Sequence, residues 1–309
     1  MIAAIGELLP REPAPLLGVG DDAAVVAAPD GRVVATTDLL AEGRHFRLDW
    51  SGPADIGAKA AAQNLADVAA MGAEPSALLV GLATPGDLAV DWALDLVRGM
   101  IAECGRAGAA IAGGDITSSD SLVLAITALG NLAGRDPVTR SGARPGDVLA
   151  VAGRLGWSAG GLALLSAGRD RTGLDVAARD ELVAAHRRPQ PPYAAGPQAA
   201  RLGATSMIDI SDGLVQDLGH VAAASGVRVD LDSGRLPGTG PLRTAAAALS
   251  VDWRDWALAG GEDHAIAATF GPEIQLPGEW IVIGTVHAGT GVLVDTRPWD
   301  RGGGWNHFA

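Results

Sequence analysis

Aspartates recur on small-residue turns at the ends of short apolar segments of this 309-residue chain, and that placement narrows its possible folds more than any other feature. Gly18-Val19-Gly20-Asp21-Asp22 precedes one apolar run, and Thr36-Thr37-Asp38 closes the next. Gly113-Gly114-Asp115 follows a third. Asp209-Ile210-Ser211-Asp212-Gly213 joins a strand-like stretch to a helix-like one, and Gly260-Gly261-Glu262-Asp263 precedes another strand-like stretch. Any one of these is an ordinary turn or cap; Asp212 could simply cap a helix starting at Leu214. Together they exceed what turns require, and they fall on strand-end loops, where binding residues concentrate.

If the acids converge, their charges cannot coexist unpaired in a cleft. The chain is poor in nearby bases, with 23 basic residues against 36 acidic ones, and its one lysine is Lys59. Divalent cations would supply the missing charge, and carboxylate, hydroxyl and carbonyl oxygens suit Mg²⁺ or Ca²⁺. An EF-hand is excluded, because counting from Asp209 puts Leu214 where its Gly belongs and His220 where its Glu belongs. A Lys-based phosphate loop is excluded too, since Lys59 precedes Ala60 rather than Ser or Thr. Mg²⁺ beside bare glycine N–H groups makes a phosphoryl-transfer constellation. The residues alone therefore point to a Mg²⁺-dependent phosphotransferase or nucleotide hydrolase, with an idle nucleotide- or metal-binding module as the alternative.

The net charge of −13 argues against nucleic acid and anionic membranes as partners. Cys104 stands alone, so no internal disulfide or Cys-based zinc site is expected. Neither a secretory leader nor a long uncharged apolar run is visible, and a cytoplasmic location is expected. The spacing predicts a strand, a turn at Pro29-Asp30-Gly31 and a second strand ending near Asp38. A helix is expected over Asp55–Met71, with Lys59, Gln63 and Asp67 on one stripe at i, i+4 and i+8 and Asn64 beside it. Further strands are expected at Ala77–Leu82, Ala109–Ala112, Ser121–Leu129, Asp147–Ala152, Met207–Ile210, Ala265–Phe270 and Trp280–Val286. Helices are expected at Asp87–Gly108, Ser158–Ala167 and Leu214–Ser225, and Arg187–Pro197 reads as an irregular connector. The mixture lacks strict strand–helix alternation and predicts an α+β fold. The loop-like stretch Gly134–Pro145 suggests two domains, 1–137 and 138–309.

The motifs, taken in order, resemble the thiamine-monophosphate kinase family of the superfamily that includes aminoimidazole ribonucleotide synthetase. The stretches are GVGDDAAVV (18–26), TTDLLAEGRHF (36–46), NLADVAAMGAEP (64–75), GGDIT (113–117), TRSGARPGD (139–147), IDISDGLVQDLGH (208–220), GGEDH (260–264) and GWNHF (304–308). The resemblance implies an N-terminal α+β domain whose sheet forms a barrel across a homodimer, and a C-terminal α/β domain. It implies ATP between the domains, donating its γ-phosphate directly to thiamine monophosphate with several Mg²⁺ ions and no phosphoenzyme. By the same resemblance Asp22, Thr36, Thr37, Asp38, Asp67, Asp115, Asp209 and Asp212 would be metal ligands. Gly114, Asp115, Arg140 and Ser211 would meet the nucleotide, and His45, Glu262 and Trp305 the thiamine substrate. No acid or base is assigned. Two departures stand out: His264 and Ala265 replace an aromatic and an acid after Gly-Gly-Glu-Asp, and Arg44 replaces an apolar or amide residue.

Overall fold

A computed structural model describes residues 2–9, 15–16, 23–167, 176–238, 240–301 and 304 of the protein. The chain divides into two compact units, Met1–Asp136 and Pro137–Ala309. The first holds α1 (Ile2–Leu8), β1 (Val34–Ala41), α2 (Pro53–Ala70), β2 (Glu74–Thr84), α3 (Val90–Ala107), β3 (Ala110–Ser118) and β4 (Val123–Asn131). Its strands form one mixed sheet in the order β1-β4-β2-β3, with β2 and β3 parallel and the other pairs antiparallel.

Sequence explains why α2 covers one face of this sheet. It is Ala-rich, starts with Pro53 at its first position, and Asp55 Oδ2 accepts the Gly52 N–H at 3.0 Å to close the first turn. Strand alternation sends Leu124, Ile126 and Ala128 of β4 into the core beneath α2. On the opposite face Leu39 and Leu79 stay 59% and 37% exposed, so one side of the sheet carries apolar surface without a covering layer from the described residues of its own unit.

The second unit holds β5 (Val148–Ala152), α4 (Trp157–Ala167), α5 (Val176–Arg187), α6 (Ala195–Leu202), β6 (Ser206–Ile210), α7 (Leu214–Ser225), β7 (Val227–Leu231), α8 (Gly240–Leu249), α9 (Trp253–Ala259), β8 (Ala265–Phe270), β9 (Trp280–Ala288), β10 (Gly291–Val294) and β11 (Arg297–Pro298). Its mixed sheet runs β11-β10-β7-β9-β5-β8-β6. Leu149, Val151, Ile208, Ile210 and Ile283 of the sheet pack with Leu214, Leu218 and Val221 of α7 and Leu242 of α8 in one core.

The α+β expectation holds, and among the described residues neither sheet closes into a barrel. Three local expectations are corrected. The turn at Pro29–Gly31 forms, with Gly31 N–H on the Ala28 carbonyl at 3.0 Å, but the strand expected before it is only an isolated bridge at Val25. Asp30 instead accepts N–H groups of Arg32 (3.1 Å) and Gly134 (3.2 Å), tying this turn to the loop after β4. The strand before Gly113 does not stop there. A bulge passing from Leu78↔Ile111 to Leu79↔Gly113 absorbs one residue, and parallel pairing with β2 carries β3 on to Ser118. The Arg187–Pro197 connector ends early, because α6 begins at Ala195.

Candidate functional site

In the first unit the polar stripe of α2 meets β1 residue by residue. Asp67 Oδ2 accepts the Thr36 hydroxyl at 2.9 Å. Gln63 Nε2 donates to Asp38 Oδ2 at 3.0 Å, and Asn64 Oδ1 accepts the Asp38 N–H at 3.0 Å. Asn64 is itself oriented by donating to the Ala60 carbonyl one turn back, at 3.0 Å. At the far end Lys59 Nζ donates to the His45 carbonyl at 3.0 Å. The helix thus runs down the stripe from Lys59 to Asp67 while its partners run back from His45 to Thr36.

The same contacts settle the chemistry of His45. The Ala41 N–H donates to His45 Nδ1 at 3.0 Å, so Nδ1 presents a lone pair and a neutral ring carries its hydrogen on Nε2. In that tautomer Nε2–H is the ring's one N–H donor, and the turn carrying it is pinned by Lys59. Phe46, beside it, is buried.

Alternation separates two neighbouring candidates. Thr36 and Asp38 face α2, whereas the Thr37 hydroxyl turns to the other face, donating to the Ile126 carbonyl at 3.0 Å and accepting from Thr127 at 3.3 Å. Gly114 shares a lateral row with Asp38 through Ile126 and Val80, three strands away, which at ~4.8 Å per strand is roughly 14 Å. Asp115 is one residue beyond that row, opposite Gly81. Gly114 and Asp115 border a cavity of about 100 Å³ lined by apolar side chains including Ile5, Val80, Leu82, Leu96 and Met100.

In the second unit the turn after β6 is organised from inside its following helix. The N-cap of α7 is Gly213, without a side-chain cap. Instead Asp217 Oδ2 accepts the N–H groups of Ser211, Asp212 and Gly213 at 3.0, 3.0 and 3.1 Å. Burial, with the charges of Asp209 and Asp212 adding to it, pushes the Asp217 carboxyl up to about 7. The Gly260–His264 loop is sewn onto the same turn: Glu262 N–H donates to the Ser211 carbonyl at 2.8 Å and His264 N–H to the Ile210 carbonyl at 3.0 Å. Backbone passes so close there that a Cβ at Gly261 would overlap the Ser211 carbonyl, which accounts for that glycine. Glu262 and His264 both adopt left-handed backbone, φ +65° and +53°, at a cost of about 1–2 kcal/mol each.

Buried His264 places Nδ1 3.0 Å from Oδ2 of buried Asp209. The departure at this position thus gives Asp209 an imidazole neighbour. Asp263 Oδ1 accepts the Ser158 N–H at 2.9 Å at the start of α4, and burial raises its carboxyl to about 7. Arg140 is exposed on a loop held by the Met207 N–H on the Thr139 carbonyl (3.1 Å) and by Ser225 Oγ on the Arg140 carbonyl (3.0 Å).

The sequence-predicted residues thus fall into two gatherings. Thr36, Asp38, Asp67 and His45 come together around α2, while Asp209, Ser211, Asp212 and Glu262 come together after β6. Asp115 stands apart on β3. Asp22 and Trp305 lie outside the described residues. Among the described residues no three His, Cys, Asp or Glu side chains are grouped to hold one ion. The donors nevertheless suit a hard cation, since Asp38, Asp67 and Thr36 present only oxygens, and the bonds from Gln63 and Thr36 each use one carboxylate oxygen. Asp217 and His264 are the residues sequence reasoning did not assign.

Family models match both units of the chain. The model for the AIR synthase related protein, N-terminal domain, matches residues 20–132, and the corresponding C-terminal domain matches 144–271. The chain belongs to the AIR synthase related family. Within it, the chain is a member of the thiamine-monophosphate kinases. The thiamine-monophosphate kinase of Mycobacterium tuberculosis is 51% identical over 302 residues, covering 96% of this chain and 88% of that protein. That of Corynebacterium glutamicum is 44% identical over 299 residues, covering 94% and 88%. The solved structure of AaThiL complexed with AMPPCP and TMP aligns with a TM-score of 0.84 at 32% identity, covering 94% of this chain and 92% of that one.

Proposed function

We infer that this protein transfers the γ-phosphoryl group of ATP to the phosphate of thiamine monophosphate, releasing thiamine diphosphate and ADP. The observation that carries this reading is a coincidence. The acids that α2 and the β6 turn gather belong to the stretches that resemble thiamine-monophosphate kinases, and those kinases are similar to nearly the whole chain. A relative complexed with AMPPCP, an ATP analogue, and TMP supports the same pair of substrates.

The acceptor is already a phosphate anion at neutral pH, so no protein base is needed, and positioning and charge stabilisation do the catalysis. Asp38, Asp67, Asp115, Asp209 and Asp212, with Thr36, Thr37 and Asp22, are the candidate Mg²⁺ ligands. Bound there, Mg²⁺ would supply positive charge to the phosphate oxygens. Arg140 can donate two parallel hydrogen bonds to a phosphate, and Gly114 and Ser211 supply backbone or hydroxyl contacts to the nucleotide. The apolar cavity beside Gly114 suits a nucleobase. His45 offers its Nε2 hydrogen to the acceptor phosphate. Glu262 complements the cationic, amino-bearing rings of thiamine, and Trp305 provides a stacking surface.

The partly exposed face carrying Leu39 and Leu79 supports a homodimer in which this sheet completes a barrel with its counterpart from a second copy. A cytoplasmic location is consistent with no described helix being long and apolar enough to cross a membrane.

Turnover of ATP assayed with and without thiamine monophosphate tests the reading. ATP consumption that depends on thiamine monophosphate, yields thiamine diphosphate, stops with a chelator and returns with Mg²⁺ is expected. Hydrolysis indifferent to thiamine monophosphate would overturn it.

A further inference from the structure

Behind Glu262 lies a buried serine–histidine pair outside the roles described so far. Helices α4 and α5 pack against each other and come close at Gly161, where a Cβ would overlap the Leu182 carbonyl and the His186 side chain. That approach sets Ser158, in the first turn of α4, against His186, in the last turn of α5, with Oγ and Nδ1 3.0 Å apart. The Ser158 hydroxyl is also 3.4 Å from Glu262 Oε2, and His186 Nδ1 lies 3.5 Å from that same oxygen. Ser158 is 1% and His186 6% exposed, whereas 34% of the Glu262 side chain meets solvent.

The direction of the hydrogens follows from the acceptor. An ionised carboxylate can only accept, so the Ser158 O–H points at Glu262 Oε2. Its oxygen is then left to receive a hydrogen from His186 Nδ1–H. The result is a two-bond chain from His186 through Ser158 to one oxygen of Glu262. Ser158 is fixed separately by its own N–H, which donates to Asp263 Oδ1 at 2.9 Å, so the loop carrying Glu262 and the start of α4 are locked together. Glu262 itself is held at φ +65°, with its N–H on the Ser211 carbonyl. Backbone and one carboxylate oxygen are thus both specified before any ligand arrives.

We propose that Ser158 and His186 are positioning residues for acceptor recognition. They hold Glu262 Oε2 inward, so that the other carboxylate oxygen is presented in one orientation to a hydrogen-bond donor on a cationic, amino-substituted nitrogen heterocycle. The proposal rests on the reading of Glu262 as the carboxylate that meets the thiamine moiety. Holding the carboxylate in advance removes the ordering cost that a free glutamate would incur on binding.

The test uses the full chain, four single variants, Glu262→Gln, Ser158→Ala, His186→Leu and His186→Asn, and the double variant Ser158→Ala/Glu262→Gln, with kcat, both KM values and thermal midpoints measured for each. Losing one net hydrogen bond corresponds to a rise of about 2- to 12-fold in KM for thiamine monophosphate in Ser158→Ala and His186→Leu. Their kcat and KM for ATP should be unchanged. His186→Asn, which can place an amide donor near the Nδ1 position, should restore KM even if its thermal midpoint is as low as that of His186→Leu. In a Glu262→Gln background, Ser158→Ala should add less to KM than it does alone. Should Ser158→Ala and His186→Leu leave that KM untouched while Glu262→Gln raises it, the positioning role fails and Glu262 keeps its own. If Glu262→Gln leaves KM for thiamine monophosphate unaltered, the underlying assignment of Glu262 fails. Parallel changes in kcat and both KM values that track thermal midpoint, with no recovery in His186→Asn, would reduce the pair to ordinary packing and overturn the proposal.

Discussion

The Thr36 hydroxyl donates to Asp67 Oδ2 across 2.9 Å, joining β1 to α2. One oxygen of Asp67 is thereby occupied and the carboxylate plane is set. Gln63 does the same for Asp38 one helical turn earlier. Both carboxylates are therefore aimed by neighbours whose own positions are fixed by regular secondary structure.

Replacing Asp38 or Asp67 by Asn keeps shape and most hydrogen bonds while removing charge. With Asp38 and Asp67 as the proposed Mg²⁺ ligands, and loss of an orienting partner around a metal ligand costing 10- to 100-fold, either substitution should cost kcat more than about 100-fold, and Thr36→Val about 10-fold. Steady-state turnover, with a thermal melt showing the fold unchanged, checks both.

Gly261→Ala places a methyl group against the Ser211 carbonyl. Either the Gly260–His264 loop or the β6 turn must move, so Glu262 shifts relative to Ser211. A misplacement of about 1 Å can cost on the order of 100-fold, and this variant should lose kcat by that order while losing about 1–3 kcal/mol of stability. Kinetics alongside urea unfolding separates the two effects.

Asp217→Ala strips the shared acceptor from three turn N–H groups. Unsatisfied buried donors cost about 1–3 kcal/mol apiece, moderated where water enters, so a total loss of about 2–4 kcal/mol is expected, with Asp217→Asn losing less. The urea midpoint reads this directly. Unchanged stability would show that the turn does not depend on Asp217.

Asp263 supplies a pH signature. Its folded carboxyl titrates near 7 against an ordinary value of 3.8, so between these values the folded state binds more protons than the unfolded one. Stability should therefore fall as pH rises from about 4 to about 7, by at most about 1.4 kcal/mol per pH unit from this group. Asp263→Asn should flatten the slope. Unfolding by urea at about pH 5 and about pH 8, with chelator present to exclude metal linkage, compares wild type with variant; equal slopes would contradict the assignment.

The α2 stripe was legible because helical period alone puts Lys59, Gln63, Asn64 and Asp67 on adjoining lines, and the structure finds each of them against β1 or the His45 turn. Helix α7 was legible in full, from Leu214 to Ser225, because its apolar face repeats cleanly. Asp217 was not, since a carboxylate serving N–H groups four to six residues before it reads in the sequence as a solvated first-turn acid. The Ser158–His186 pair was hidden for a different reason. Its members are 28 residues apart, and only the close approach of α4 and α5 at Gly161 unites them. The opposite facing of Thr36 and Thr37 follows from strand period, but it could be used only once Val34–Ala41 was known to be a strand.

The lone lysine carries a practical corollary. Lys59 is 3% exposed and spends its ammonium group on the His45 carbonyl. Amine-reactive dyes and crosslinkers thus find no accessible side-chain target on the native protein, and acquisition of label at Lys59 becomes a gauge of how often the α2–β1 interface opens.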